Sequence, residues 1–77
     1  MDEQAIRELL MQESEEFRNL YEEHQKCERQ LAELSRRNFL SEDDRLKEKE
    51  LKKKKLLLKD EMYRMIIEYG RRMRGDE

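Results

Sequence analysis

Two residues with reactive side chains lie close together in the first half of the chain. His24 and Cys27 are the only histidine and the only cysteine in the sequence. Their spacing places both on one face of a helix. Such a pair can act as nucleophile and base, or it can supply half of a metal site or a redox switch shared between two chains. No third orienting group or oxyanion donor accompanies the pair. We therefore interpret His24 and Cys27 as polar positions in a helical seam.

A second candidate for chemistry is the run of four lysines Lys52, Lys53, Lys54 and Lys55. Clustered basic residues can bind the phosphates of a nucleic acid. However, four consecutive helical residues point in four directions, the net charge of the chain is −2, and no aromatic residue lies within the run to stack on a base. We expect a solvated helix face that pairs with Glu22, Glu23 and Glu28, and nucleic-acid binding is the alternative function.

Other common catalytic and cofactor motifs do not occur in the sequence. There is no glycine-rich phosphate loop. The Glu-x-x-His motif of di-iron bundles is missing, since Tyr21 stands three residues before His24. A single cysteine cannot form an internal disulfide. We therefore predict a protein that is not an enzyme and that holds no cofactor or metal.

The composition favours long helices around a thin core. The chain has 77 residues, of which 49% are charged and 35% hydrophobic, with two glycines and no proline. A β-rich fold would need more turn residues than this. A chain of this length seldom buries enough apolar surface to be stable alone, so we expect self-association. Disorder is the competing interpretation of so many charges, and the periodic apolar residues argue against it.

The apolar periodicity predicts an all-α fold: a single domain, residues 1–77, that forms a two-helix antiparallel hairpin of coiled-coil type. Helix 1 is predicted at about 3–36, a turn at about 37–41, helix 2 at about 42–69 and a tail at 70–77. Ser41 is the predicted N-cap of helix 2, with Asp44 completing a capping box. Gly70 is expected to end that helix. The heptad seam of helix 1 consists of Ile6, Leu10, Glu13, Phe17, Leu20, His24, Cys27, Leu31 and Leu34.

Helix 2 carries two apolar stripes. The first should face helix 1, with Phe17 opposite Met62 and Ile6 opposite Met73, and it consists of Leu51, Leu58, Met62, Met65 and Tyr69. The second consists of Leu56, Tyr63 and Ile67 and points away from the first. An apolar stripe on an exposed face predicts an interaction surface. The simplest partner is another copy, which would give a dimer or tetramer built as a helical bundle; another protein is the second option.

Two segments of the chain resemble a known family. They are Phe17-Arg-Asn-Leu-Tyr-Glu-Glu-His24 and Leu51-Lys-Lys-Lys-Lys-Leu-Leu-Leu-Lys-Asp-Glu-Met-Tyr63. Their most specific parts are Glu23-His24 and the segment 58–63. The sequence resembles, over about residues 10–67, the YdcH-like family of small bacterial proteins of uncharacterised function. The resemblance implies a helical hairpin and no activity. If the family has functional residues, it implies His24, Lys59, Asp60 and Tyr63 as their carriers here, and Asp60 could instead pair with Arg64.

The chain shows no sequence signal for secretion or membrane insertion. The segment MDEQAIRELL lacks the basic and apolar regions of a signal peptide. The longest apolar runs, Leu56–Leu58 and Met65–Ile67, are far shorter than the roughly 20 residues of a membrane span. We therefore expect a cytoplasmic protein in which Cys27 is a reduced thiol.

Overall fold

The described part of the chain forms three α-helices, one more than predicted. The computed structural model describes residues 2–75. Within them, α1 spans Glu3–Glu13, α2 spans Glu15–Ser35 and α3 spans Glu42–Arg74, and the described part contains no strand. The all-α prediction is confirmed. The two-helix prediction is wrong, because the predicted helix 1 is divided at Ser14. Asp76 and Glu77 of the predicted tail, and Met1, lie outside the described residues.

Ser14 separates α1 from α2 by acting as a cap for both. Its backbone is extended, with φ −116° and ψ 114°. Its N–H donates to the Leu10 carbonyl at 2.9 Å, and its Oγ accepts from the Phe17 N–H at 3.1 Å. Arg18 Nη1 donates to the carbonyl of Met11 at 2.9 Å and to that of Gln12 at 3.1 Å. Several of the backbone groups that a helix break leaves without partners are therefore satisfied.

The break lets α1 fold back over α2 and α3. In one continuous helix, Arg7 and His24 would be about 25 Å apart along the axis. Instead, Arg7 lines the same cavity as His24 and as Met62 of α3. Helix α1 therefore covers the hairpin formed by α2 and α3, and the three helices together measure 52 × 21 × 19 Å.

The start of α3 is as predicted. Ser41 Oγ accepts from the Asp44 N–H at 3.1 Å, and the Ser41 N–H donates to Asp44 Oδ2 at 3.2 Å, which completes the capping box. Arg37 adds an ion pair to Asp44 at 2.9 Å. The hydrogen bond from the Ser41 backbone lowers the pKa of the Asp44 carboxyl, and the Arg37 charge acts in the same direction. The turn between α2 and α3 is thereby tied to the first turn of α3.

The end of α3 differs from the prediction. The helix continues through Gly70 and ends at Arg74, followed by Gly75 as the C-cap with φ 73°. Gly70 is buried because α1 packs against it, and a Cβ added there would lie 3.3 Å from Ile6 Cδ1. Ile6 thus lies against Gly70 rather than Met73, which is 54% exposed. Glycine is used here for close helix packing, although a helix-interior glycine costs about 1 kcal/mol relative to alanine.

The core lies where all three helices meet. Its buried side chains are Ile6, Leu10, Phe17, Met62 and Ile66. Phe17 and Met62 belong to this cluster, as predicted, whereas Ile66 had been assigned to neither apolar stripe. Farther along the hairpin, Cys27 and Leu34 are buried as well. Among residues 2–75, no helix is long and apolar enough to cross a membrane.

The two glycines should respond oppositely to alanine. Gly70→Ala should raise the free energy of unfolding by about 0.5 kcal/mol, since helix propensity favours alanine and the flexible Ile6 Cδ1 can move by a few tenths of an ångström. Gly75→Ala should lower it by up to about 1 kcal/mol, because its positive φ is strained for alanine. Urea unfolding followed by circular dichroism measures both. A larger loss for Gly70→Ala than for Gly75→Ala would contradict this prediction and would show that Ile6 cannot move away from the added methyl group.

Candidate functional site

His24 lies at the middle of the molecule, half-buried between α2 and α3. Its Nε2 is buried and has no hydrogen-bond partner among the described residues. A buried polar atom left unpaired costs about 1–3 kcal/mol. Structures that retain such an atom usually have a reason for it, so His24 is the first candidate for a site.

The Nε2 atom belongs to a ring that lines a cavity of about 110 Å³. Each helix contributes to the wall, and the lining residues are Arg7 from α1, Tyr21, His24 and Gln25 from α2, and Lys59 and Met62 from α3. His24 and Lys59, which the family resemblance implied as carriers of function, thus come together. Asp60 and Tyr63 do not line this cavity. Arg7 and Gln25 were missed, because their roles depend on how α1 folds back and no local pattern marks them.

Cys27 does not join His24 in a reactive pair. The cysteine is 2% exposed, and no hydrogen bond links it to His24 in the part of the chain that the structure describes. A thiol this buried packs as a small apolar side chain. No group of three or more His, Cys, Asp or Glu side chains within residues 2–75 is placed to hold a metal ion. The interpretation of His24 and Cys27 as polar seam positions stays a prediction.

The lysine run pairs with glutamates of α2. Lys54 Nζ lies 3.1 Å from Glu23, and Lys55 Nζ lies 3.0 Å from Glu28. The hydrogen bond from each lysine, followed by its charge, lowers the pKa of Glu23 and of Glu28. The Glu23 partner in turn raises the pKa of Lys54. The predicted pairing is found at Glu23 and Glu28 but not at Glu22. These pairs fix the register of α2 on α3 more than they stabilise it.

Lowering the pH should weaken the fold through these pairs. Because the pKa values of Glu23 and Glu28 are lower in the folded state than the ordinary value of about 4.3, the unfolded chain binds more protons. Their contribution is complete above that ordinary value and disappears as the pH falls through the folded values. We expect the unfolding temperature of the double variant Glu23→Gln/Glu28→Gln to depend less on pH between about 5 and 3 than that of the parent.

The matched control for this experiment replaces glutamates outside the ion pairs. Glu22 and Glu33 are exposed on the same helix and have no ion pair with another described residue. The double variant Glu22→Gln/Glu33→Gln removes the same charge and should retain the parent's acid dependence. Equal flattening in both double variants would show that total charge, rather than the pairs with Lys54 and Lys55, sets the dependence.

The second apolar stripe of α3 is a solvent-facing surface. Leu56, Tyr63 and Ile67 are 61%, 52% and 40% exposed. At its far end, Tyr63 and Ile67 border a groove of about 200 Å³ whose floor is formed by Ile6 and Gly70. The stripe and the groove form one apolar surface, which we call the α3 face.

A larger cleft of about 540 Å³ lies on the other side, beside the bend at Ser14. Most of the charged side chains that line this cleft pair with other residues of the cleft. Arg64 pairs with Glu61 at 2.9 Å, rather than with Asp60 as the spacing had suggested, and Arg72 pairs with Glu68 at 3.7 Å. The Tyr69 hydroxyl donates to Glu13 at 3.3 Å. Burial, together with the Glu13 charge, raises the pKa of Tyr69. A cleft whose groups already bind one another is a weaker ligand site than the cavity at His24.

Comparison with known proteins identifies the family of this chain. Residues 17–66 match a sequence family described as "Protein of unknown function (DUF465)". The chain belongs to the DUF465 family. This agrees with the resemblance to YdcH-like proteins. No curated protein and no solved structure matched the chain.

The DUF465 match covers the α2–α3 hairpin and leaves out α1. It begins at Phe17 and ends at Ile66, so it covers nearly all of α2 and most of α3 but none of α1. His24 and Lys59 lie inside the DUF465 region, whereas Arg7 lies outside it. The covering helix and its arginine are therefore features that the family match does not describe.

Proposed function

We propose that the protein is a non-enzymatic interaction module that self-associates through the α3 face. The observation that supports this proposal is that Leu56, Tyr63 and Ile67 are exposed along one side of α3, a helix whose other exposed residues are mostly charged. An apolar surface of this kind usually marks a contact with another molecule. The cytoplasmic location is also a proposal, and it rests on the family resemblance.

The small size of the core favours a second copy of the chain as the partner that covers the α3 face. Seven apolar side chains are buried in the described part of the chain, and eight large ones are exposed. A chain of this length usually gains the missing burial from a partner chain. With 33 residues, α3 is about 50 Å long, which is long enough for a helix-pairing interface of ordinary size.

Two-fold symmetry suggests how the copies would meet. If the α3 faces of two copies pack antiparallel about an axis about midway between Leu56 and Ile67, Leu56 of one copy lies opposite Ile67 of the second copy, and the two Tyr63 side chains lie close to the axis. The same residues then serve both copies, as a symmetric interface requires. The result is a bundle with two α3 helices at its centre.

Nucleic-acid binding through the lysine run is supported less well. Lys54 and Lys55 are engaged by Glu23 and Glu28, and Lys52 lies 3.9 Å from Glu48. A nucleic acid would have to displace these carboxylates before its phosphates could bind. The site therefore offers little of the free positive charge that phosphate binding needs.

Light scattering behind a sizing column, at low and at high salt, tests the proposal. We expect a mass of at least twice the 9.6 kDa of the chain, and we expect it to persist at high salt because apolar contacts are not screened. A mass of one chain at every concentration would overturn self-association. A larger mass that is lost at high salt would point to association through charges instead.

A further inference from the structure

The cavity at His24 combines three features that no other part of the described chain shows together. His24, whose Nε2 is buried without a partner, is one of the residues that line it. It is lined from all three helices. In addition, no carboxylate belongs to its wall, although 20 of the 77 residues are aspartate or glutamate. The wall instead carries the positive charges of Arg7 and Lys59.

These groups are hydrogen-bond donors suited to an anion. The guanidinium of Arg7 can bind two oxygens at once, and the ammonium of Lys59 adds a compact charge. His24 forms part of the same wall, so its imidazole lies beside an anion bound there. Tyr21 and Gln25 add a hydroxyl and an amide to the same wall.

Two carboxylates lie near these cations. Glu3 accepts from the Nε of Arg7 at 3.3 Å in an exposed pair, so an anion would bind Arg7 through its Nη groups. Glu28, which lies within electrostatic range of His24 and Lys59, is held by Lys55 at 3.0 Å. An anion in the cavity would therefore meet net positive charge.

We propose that this cavity binds a small phosphate-type oxyanion, either free or as the terminal group of a phosphomonoester. A volume of about 110 Å³ exceeds the roughly 30 Å³ that one water occupies in the liquid, so a tetrahedral oxyanion has room in the cavity. Arg7 and Lys59 bind its oxygens from opposite helices, beside His24. Because Arg7 lies on α1, the bound anion also holds α1 against the α2–α3 hairpin. The inference does not depend on self-association.

Because His24 is the only histidine in the chain, its imidazole signals can be followed without overlap from other histidines. Nuclear magnetic resonance of the imidazole signals, in a buffer without phosphate and at fixed pH and ionic strength, is followed while inorganic phosphate is added. We expect a saturable shift of the His24 signals. Lys59→Gln should weaken the binding about tenfold, as expected for the loss of a charge-assisted hydrogen bond. Arg7→Gln is the second variant and should weaken it similarly, with circular dichroism confirming that each variant is folded.

The matched control is Lys53→Gln, which removes an exposed lysine of the same helix that does not line the cavity. It should leave the affinity unchanged. Glycerol phosphate, titrated in parallel, separates the two sources: equal binding indicates a phosphomonoester site, and binding of phosphate alone indicates a site for the free ion. The absence of a saturable shift in the parent protein would overturn the proposal. Equal weakening by Lys53→Gln and Lys59→Gln would also overturn it, because the ion would then be attracted only by overall charge.

Discussion

Replacing Phe17 by alanine should unfold most of the protein under conditions in which the parent is folded. Phe17 is 1% exposed and lies in the cluster that joins α1, α2 and α3. Truncating a buried phenylalanine costs about 3–5 kcal/mol, since both transfer energy and cavity formation contribute. Natural domains are stable by only about 5–15 kcal/mol, and a chain with so small a core lies near the lower limit. Urea unfolding followed by far-ultraviolet circular dichroism should show the midpoint falling sharply.

The matched control is the other phenylalanine. Phe39 lies in the turn before α3 and is 78% exposed. Phe39→Ala deletes the same atoms from a solvated site, so the free energy of unfolding should change by less than about 0.5 kcal/mol. Both variants should be measured at one protein concentration, because self-association would add to the apparent stability. Similar losses in the two variants would show that Phe17 is not at the centre of the core.

Replacing Leu56 by glutamate should dissociate the assembly proposed above. In a symmetric interface each substitution occurs twice, so two carboxylates would have to be removed from water without partners. We expect the dissociation constant to rise by about 100-fold, which corresponds to roughly 2.8 kcal/mol. Sedimentation or light scattering over a range of concentrations measures this change, while circular dichroism checks that the monomer remains helical.

Leu57→Glu is the matched control, because it makes the same substitution at the neighbouring residue. Leu57 is 57% exposed, close to the 61% of Leu56, but it points about 100° further around the helix. Leu57→Glu should therefore leave the mass in solution unchanged. If Leu57→Glu dissociates the assembly as strongly as Leu56→Glu, the α3 face is wrongly placed. If neither variant changes an assembly that the parent forms, the contact lies elsewhere on the molecule.

Features that depend on local chemistry can be predicted from the amino-acid sequence alone. The charged, proline-free composition predicted helices, and the Ser41–Asp44 capping box was visible as a motif and is present. The pairing of α2 with α3 followed from the apolar stripes, and the contacts of Lys54 and Lys55 followed from the opposite charges of facing segments. Each of these depends on neighbours in sequence or on a simple antiparallel register, so each can be calculated from spacing.

The break at Ser14 has a recognisable sequence signal, but the heptad pattern around it predicts a continuous helix. Ser14 is followed by Glu15 and Glu16, which is the serine-and-acid signal that marked the start of α3. A heptad seam that includes Glu13 also runs through this position, and it favours one continuous helix over a break. A helix break costs little when a serine caps both helices and Arg18 binds the freed carbonyls of α1.

The position of α1 depends on tertiary packing. Once α1 folds back, Gly70 becomes a packing position against Ile6, so α3 continues to the positive φ of Gly75. The same fold-back brings Arg7 beside His24 and Lys59. A helix's apolar face shows that it must pack but not against which neighbour, because many directions bury similar area and side-chain fit selects among them. The cavity at His24 is therefore a consequence of packing that no spacing in the sequence could reveal.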